Sequence, residues 1–445
     1  MTQPTMKHFR LAILCLLLLG WTAKAQTDTL NNQLSFGLEF LSHGEICGGG
    51  LPRASASTEN RSAFLFGRTR LKVDYERKGL QAHAVLQNKA VWGMKGNQAL
   101  NLYEGWVKMT SRHGLFAQVG RVALSYDDER IIGTNDFATA ALSHDVLLLG
   151  YEGHGHKVHA ILAFNQNGEN VYYGTYYDGG AQYYKTMQTL WYHFDVPKFP
   201  LGASLLFMNI GQQAGQEGNN NNPVRVEYQQ MMGGYLKYHP QFLTLEASYY
   251  RQGGQLVNET FSKPIKAWMA SVKVTANPWE RLGLLAGYDY LSGDDYVPVV
   301  YGGRLGLPQH AVEGGFTPLY GSRNKFYGMM DYFYESAYIN GFTPGLQNAF
   351  IGVSGSPFTS SLSCGITYHY LAVATHLEGL SRTLGHSIEL QASYKFSKDI
   401  ALAVGYTQMT GTETMARLKQ EGSSNHAHWG WFSLIVSPSL FSTRW

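Results

Sequence analysis

Charge is what this sequence has least of. Of its 445 residues only 15% are Asp, Glu, Lys or Arg, against roughly 25% in an ordinary soluble domain. A disordered chain is charge-rich and aromatic-poor; this one is 13% aromatic, so disorder is excluded. Cysteine is scarcer still, with three in all, too few to staple so long a chain. The formal net charge of +3 is too slight to imply nucleic acid as a partner. Long apolar runs are missing as well. Past the N-terminal segment no stretch reaches the ~18 consecutive apolar residues of a membrane helix, so any membrane crossing must be made by strands. What is plentiful is glycine (50) and tyrosine (29).

The N-terminal segment reads as an export signal. Lys7 and Arg10 precede an apolar run from Leu11 to Leu19, and Ala23-Lys24-Ala25 supplies a small-x-small cleavage site. Residues 1–25 are the expected signal peptide and 26–445 a single domain. Leu14 before Cys15 argues against a lipid-modified cysteine, and cleavage leaves Cys47 and Cys364.

The rest of the chain alternates with period two. In 386–397, Ile388, Leu390, Ala392, Tyr394 and Phe396 alternate with Glu389, Gln391, Ser393 and Lys395, and 241–250 and 400–408 repeat the pattern. Such a strand has one apolar and one polar face. About eighteen such runs can be placed, from 33–42 and 61–75 through 346–355, 361–375, 386–397 and 400–410 to 427–437. Every even-to-odd connection is tight, as at Glu76–Gly79, Arg112–Gly114 and Gly153–Gly155. The odd-to-even connections are generally longer, including 43–60, 124–144, 166–182 and 293–345. The expected fold is therefore all-β: one transmembrane antiparallel β-barrel of about eighteen strands, with short periplasmic turns and long extracellular loops. A soluble sandwich or propeller fits less well, because open sheets of this size rarely exceed ~10 strands without splitting or curling. The aromatic finish, Trp429, Trp431, Phe432 and the terminal Trp445, suits a barrel handed to assembly machinery in the outer membrane of a Gram-negative-type bacterium.

In lipid the apolar set faces outward, which leaves the polar set for the lumen. That places Arg68, Arg70, Lys72 and Asp74 inside as a ladder, with Glu104 and Lys108 beside them on the parity of Trp106. A dry core could not hold these cations unpaired. Two readings follow: an interlocked wall in which cations pair with carboxylates, and a wet, anion-favouring lumen, which the clustering favours. A charged stretch, Ser125-Tyr126-Asp127-Asp128-Glu129-Arg130 and then Asp136-Phe137, follows Gly120-Arg121 where a loop begins. The longest loop opens on Ser292-Gly293-Asp294-Asp295 and carries Arg304, Phe316, Pro318, Leu319, Tyr320, Arg323, Lys325, Tyr327 and Asp331. A loop that long commonly folds inward and narrows the pore.

These two stretches carry a resemblance. Gly-Arg followed by Tyr-Asp-Asp-Glu-Arg, and Ser-Gly-Asp-Asp followed by Phe-x-Pro-Leu-Tyr and Tyr-x-Gly-x-x-Asp, resemble the alginate-export porins, eighteen-stranded outer-membrane barrels whose best-known member passes an acidic polysaccharide through an Arg/Lys-rich pore. The resemblance implies a constriction built on Arg121, Glu129 and Arg130, with Asp294, Asp295 and Asp331 shaping the long loop. The sequence departs from the pattern at Leu142-Ser143-His144-Asp145, where the family tends to carry an arginine.

Other motifs are weak. His154-Gly155-His156 with His159 spans a tight turn and lacks a ligand set for a metal, and His426-Ala427-His428 is similar. No nucleophile-elbow, zinc-protease or phosphate-loop motif is present. Ser143, His144 and Asp145 are adjacent, so on a strand they cannot form a triad unaided. Cys47 and Cys364 are expected at opposite ends of the barrel, beyond the ~7 Å reach of a disulfide. The expectation is a non-enzymatic passive channel without cofactor, with lipid around it and polar or anionic solutes within, an acidic polysaccharide among the candidates. A surface scaffold or adhesin is the alternative, and an outer-membrane hydrolase a weaker one.

Overall fold

Each alternating run becomes a strand with two unlike faces, and eighteen of them pair edge to edge into a closed antiparallel barrel. The computed structural model describes residues 31–49, 61–96, 98–137, 141–165, 184–215, 223–257, 262–294, 299–301, 304–306, 312–333, 343–377, 379–419 and 426–445. The expected signal peptide 1–25 and Asp295 lie outside them.

The strands are β1 (Gln33–Gly49), β2 (Arg61–Arg77), β3 (Leu80–Val91), β4 (Gln98–Thr110), β5 (Leu115–Val122) and β6 (His144–Gly153). They continue as β7 (His156–Phe164), β8 (Thr186–Asp195), β9 (Leu201–Ala214), β10 (Arg225–Tyr238), β11 (Leu243–Val257) and β12 (Ala267–Trp279). The last six are β13 (Leu282–Leu291), β14 (Leu346–Gly355), β15 (Leu362–Ala372), β16 (Thr383–Lys395), β17 (Ile400–Gly411) and β18 (His426–Val436), the last prolonged by Ser439–Arg444. Neighbours in sequence are neighbours in the wall. Closure comes where β1 pairs with β2 on one side and with β18 on the other, from Phe40↔Val436 to Gly49↔Ala427. Pro438, which has no N–H to give, interrupts the last strand, and its carbonyl accepts from Leu38 N at 3.1 Å. The chain then resumes pairing with Gln33–Phe36.

Two expectations need correction. β1 runs seven residues past the expected 33–42, so Cys47 is a strand residue opposite Ser62 and Trp429 and not part of a loop. It forms no disulfide with Cys364. The final long loop also holds a helix, α1 (Glu413–Lys419), which alternation could not signal.

The outer face is apolar as expected: Leu190, Leu205, Phe207, Met232, Val272, Ile351, Ile366, Ile388 and Val404 are all exposed. The inner face is not uniformly polar. On β7 to β12 the inward positions Ile161, Met187, Met208, Ile210, Met231, Tyr250 and Met269 are apolar and 0–1% exposed. Nothing in a wet lumen would bury them. They are covered by Ile131, Ile132, Phe316 and Tyr320 from two loops folded into the barrel. Each such side chain removed from water contributes ~1.5–3 kcal/mol, so the loops are seated on a hydrophobic core inside the lumen.

Candidate functional site

The site is built where the loop after β5 and the longest loop, between β13 and β14, leave the wall and meet. Gly120 starts the first departure. Its φ of 130° is one that a side chain rarely adopts, and a Cβ there would collide with the carbonyl oxygen of Gly105 on β4.

Between Tyr126 and Phe137 the first loop then touches three sides of the barrel. Asp127 accepts from Trp191 Nε1 on β8 at 3.2 Å and from Ser204 Oγ on β9 at 2.5 Å. The Tyr126 hydroxyl shares a hydrogen bond with His159 Nδ1 on β7 at 3.0 Å. Arg130 reaches Asp289 Oδ1 on β13 at 3.0 Å, eight strands round from β5 and so nearly opposite in a barrel of eighteen. Asp136 returns to β2, where it meets Arg70 at 2.8 Å and Arg68 at 3.3 Å. Phe137 sets its edge against His43 of β1 and Trp431 of β18, ring centroids 5.0 Å away in each case.

The longest loop packs along the first. Ile132 and Tyr320 form a parallel bridge, with Gly133 N donating to Tyr320 O and Tyr320 N to Ile131 O. Glu129 binds Ser125 Oγ (2.7 Å) on its own loop and, across this seam, Lys325 Nζ (3.0 Å) and Ser322 Oγ (3.1 Å). Burial alone would raise its pKa, but Ser125, Lys325 and Ser322 outweigh that and hold it below the usual value. Asp127, by contrast, is pushed up by burial despite its two donors. The loop is anchored to the wall by Gln252 on β11, which bonds both the N–H and the carbonyl of Thr317, and by Glu389 on β16, which accepts from Met329 N at 2.6 Å. Among the described residues, six of the nine non-glycine residues with positive φ lie on these two loops: Asp127, Glu129, Asn135, Asn324, Tyr327 and Asp331. Tight left-handed turns of this kind persist only where surrounding contacts hold them.

The predicted residues divide among several roles. Arg68 and Arg70 do face inward, yet they are 3% and 4% exposed and line no open passage. Glu39 of β1 accepts from Arg68 (3.1 Å), Arg70 (3.3 Å) and Lys72 (2.6 Å), and Tyr103 lies 3.9 Å beneath the Arg70 guanidinium. Three cations on one strand are tolerated because Glu39 and Asp136 neutralise them. Asp74 pairs with His83 at 2.6 Å, which also faces Glu104. Glu104 stays inward because a bulge between Leu102 and Glu104 resets the register on β3 and points both Tyr103 and Glu104 inward. Lys108 lies over the Phe116 ring at 3.9 Å.

Arg130 is fully packed, sharing Asp128 (3.2 Å), Asp289 and the Tyr327 hydroxyl (3.0 Å), with Phe326 4.2 Å below it. Burial works against its charge, but Tyr327, Asp289 and Asp128 keep it protonated well above its ordinary range. Asp294 closes the base of the long loop by accepting from Gly314 N and Thr343 N. Asp331 accepts from Asn324 N, and Arg323 N donates to Asn135 Oδ1. Arg304 sits in a short strand pair, Val299–Tyr301 with Arg304–Gly306.

Arg121 does not belong to the constriction. It shares a face with the exposed Val119 and Val107 and grips Asp145 with two hydrogen bonds of 2.9 and 2.7 Å on the outside of the barrel. Its neighbour His144 points the other way, is buried, and stacks on Tyr184. The Ser143-His144-Asp145 run is thus split between two faces and assembles no triad. Residues missed from the sequence are those that receive the loops: Glu39, Gln252, Asp289 and Glu389.

No protein-family model matches the sequence, and no curated protein does. Solved structures resemble it in fold. Pseudomonas aeruginosa OccK5 (OpdH) superposes with a TM-score of 0.59 at 11% identity, over 92% of this chain and 98% of that one. A BenF-like porin from Pseudomonas fluorescens gives 0.59 at 11%, over 92% and 99%. Acinetobacter baumannii OccAB1 gives 0.58 at 12%, over 94% and 99%. These matches lend no support to the resemblance to alginate-export porins.

Proposed function

We propose that this barrel is a passive channel of the outer membrane for small polar solutes, anions among them. The observation that carries the reading is that the two infolded loops meet at Ile132 and Tyr320 inside the closed barrel. A barrel of eighteen strands is otherwise wide enough for an aqueous channel. Loops seated on an internal core narrow it without the moving parts that gating would need. The fold shared with a BenF-like porin is consistent with this reading.

Charge refines the solute class. The ladder suggested an anion filter, and Lys72 keeps about a third of its side chain exposed on the wall. But Glu39 and Asp136 neutralise Arg68 and Arg70, and Glu246 binds Lys273 farther round. A wall whose cations are matched by carboxylates lowers the barrier for either sign only weakly. The selectivity proposed is therefore slight. A short acidic oligosaccharide falls within the class; a bulky polymer does not, since two chain segments cross its path. Liposome swelling tests this: vesicles holding the protein should swell in monosaccharides and small organic anions but not in a polysaccharide. Swelling in none of them would contradict the reading.

A further inference from the structure

The outward face of β8 to β13 is apolar up to a fixed level and then changes character. At that level Asn209 donates to Gln188 at 2.8 Å and Gln230 donates to Asn209 at 2.8 Å, a chain of three amides across three strands on the outside of the barrel. The row continues with Arg251 on β11, opposite Trp268 on β12. Trp268 stacks between Tyr249 and Tyr290, with centroids 6.1 and 4.7 Å away. Lys266 follows two residues past Trp268 and is exposed, flanked by buried Ile265 and Ala267, so it shares Trp268's outward parity. Arg251 and Lys266 are exposed, and neither has a carboxylate partner among the described residues. Nor do the outward positions of β8 to β13 include any Asp or Glu.

Height fixes what this row faces. Asn209, Gln230 and Arg251 each stand eight residues from the periplasmic end of their strand. Eight residues span about 26 Å along a strand and about 20 Å along the axis at a tilt of ~40°. That is close to the ~25 Å apolar band of such barrels, so the row lies at the outer-leaflet headgroups. Two unmatched cations, an aromatic shelf and a hydrogen-bonding amide chain meet there on one surface.

We propose that this row is a docking surface for a phosphorylated glycolipid of the outer leaflet, with Arg251 and Lys266 holding its phosphates and the amide chain its sugar hydroxyls. The charge complementarity is specific: an unpaired Arg at the edge of lipid is stabilised by a fixed anion. The proposal rests on the membrane orientation adopted above. Its test is native mass spectrometry of the detergent-purified barrel with a bisphosphorylated lipid A, set against the same lipid stripped of phosphate. The wild type should hold the phosphorylated lipid, and a variant carrying Arg251→Ala and Lys266→Ala should bind it about thirtyfold more weakly. The phosphate-free lipid should not distinguish the two proteins, and Lys237→Ala, on the luminal parity of β10, should bind as wild type. Equal binding by wild type and the double variant overturns the proposal, as does displacement of the lipid by inorganic phosphate alone. Bilayer conductance separates this from the channel reading, because the double variant should conduct as wild type.

Discussion

At the scale of single residues, Arg130 ties the two loops to the far wall. It sits among Asp128, Asp289 and Tyr327 with 4% of its surface exposed. Removing one partner of a buried charge cluster costs about 3–5 kcal/mol, because the remaining charge is left uncompensated. Arg130→Ala should therefore lower the stability of the folded barrel against urea by about 3 kcal/mol or more and raise single-channel conductance as the seam loosens. Unchanged stability would mean that Asp289, which also accepts from Ser271 and Asn348, is satisfied without it. Arg121 teaches a different lesson. The resemblance placed it in the pore, but strand parity was legible beforehand: Val119 and Arg121 are two apart, and Val119 is exposed on the outward face. Here the period-two rule, applied strictly, outperforms motif likeness.

At the scale of elements, tight turns and alternation were readable because each is a local property of the sequence. The eighteen strands and the long 293–345 connection follow from them. What could not be read was the hydrophobic core within the lumen. The signal was present in β9, where Leu205, Leu206, Phe207 and Met208 are apolar on both faces, as in a strand buried on both sides. Alternation alone hides it, because the loops that cover these residues come from far along the chain. The helix α1 was equally hidden, being seven residues long and set by its docking. Its Lys419 is buried against the rings of Tyr332 and Phe333 and donates to the Tyr332 carbonyl, and burial lowers its ammonium to about 7. A lysine whose folded pKa is depressed binds fewer protons folded than unfolded between that value and its ordinary 10.5. Docking of α1 should thus strengthen as pH rises from about 7 toward 10 and stay flat below. Hydrogen exchange in residues 327–333, corrected for intrinsic rates, should show that rise, and Lys419→Met should abolish it.

At the scale of the whole molecule, the scarcity of charge in the sequence reflects where charge can go. The outward face carries little of it beyond Arg121, Asp145, Arg251 and Lys266, and the lumen admits it mostly in pairs: Lys72 with Glu39, Lys273 with Glu246, Lys325 with Glu129, Arg70 with Asp136. The sequence showed the cations because they cluster on one strand. Their partners come from β1 and from a loop, so the neutralisation emerges only when the barrel closes. For the proposed channel, pairing of this kind implies a narrow and nearly balanced passage.

The most direct test is the current–voltage relation of the purified protein in a planar bilayer under a salt gradient. The account predicts discrete conductance steps with a reversal potential close to zero. No steps at all, or a reversal potential near the limit for a single ion sign, would contradict it.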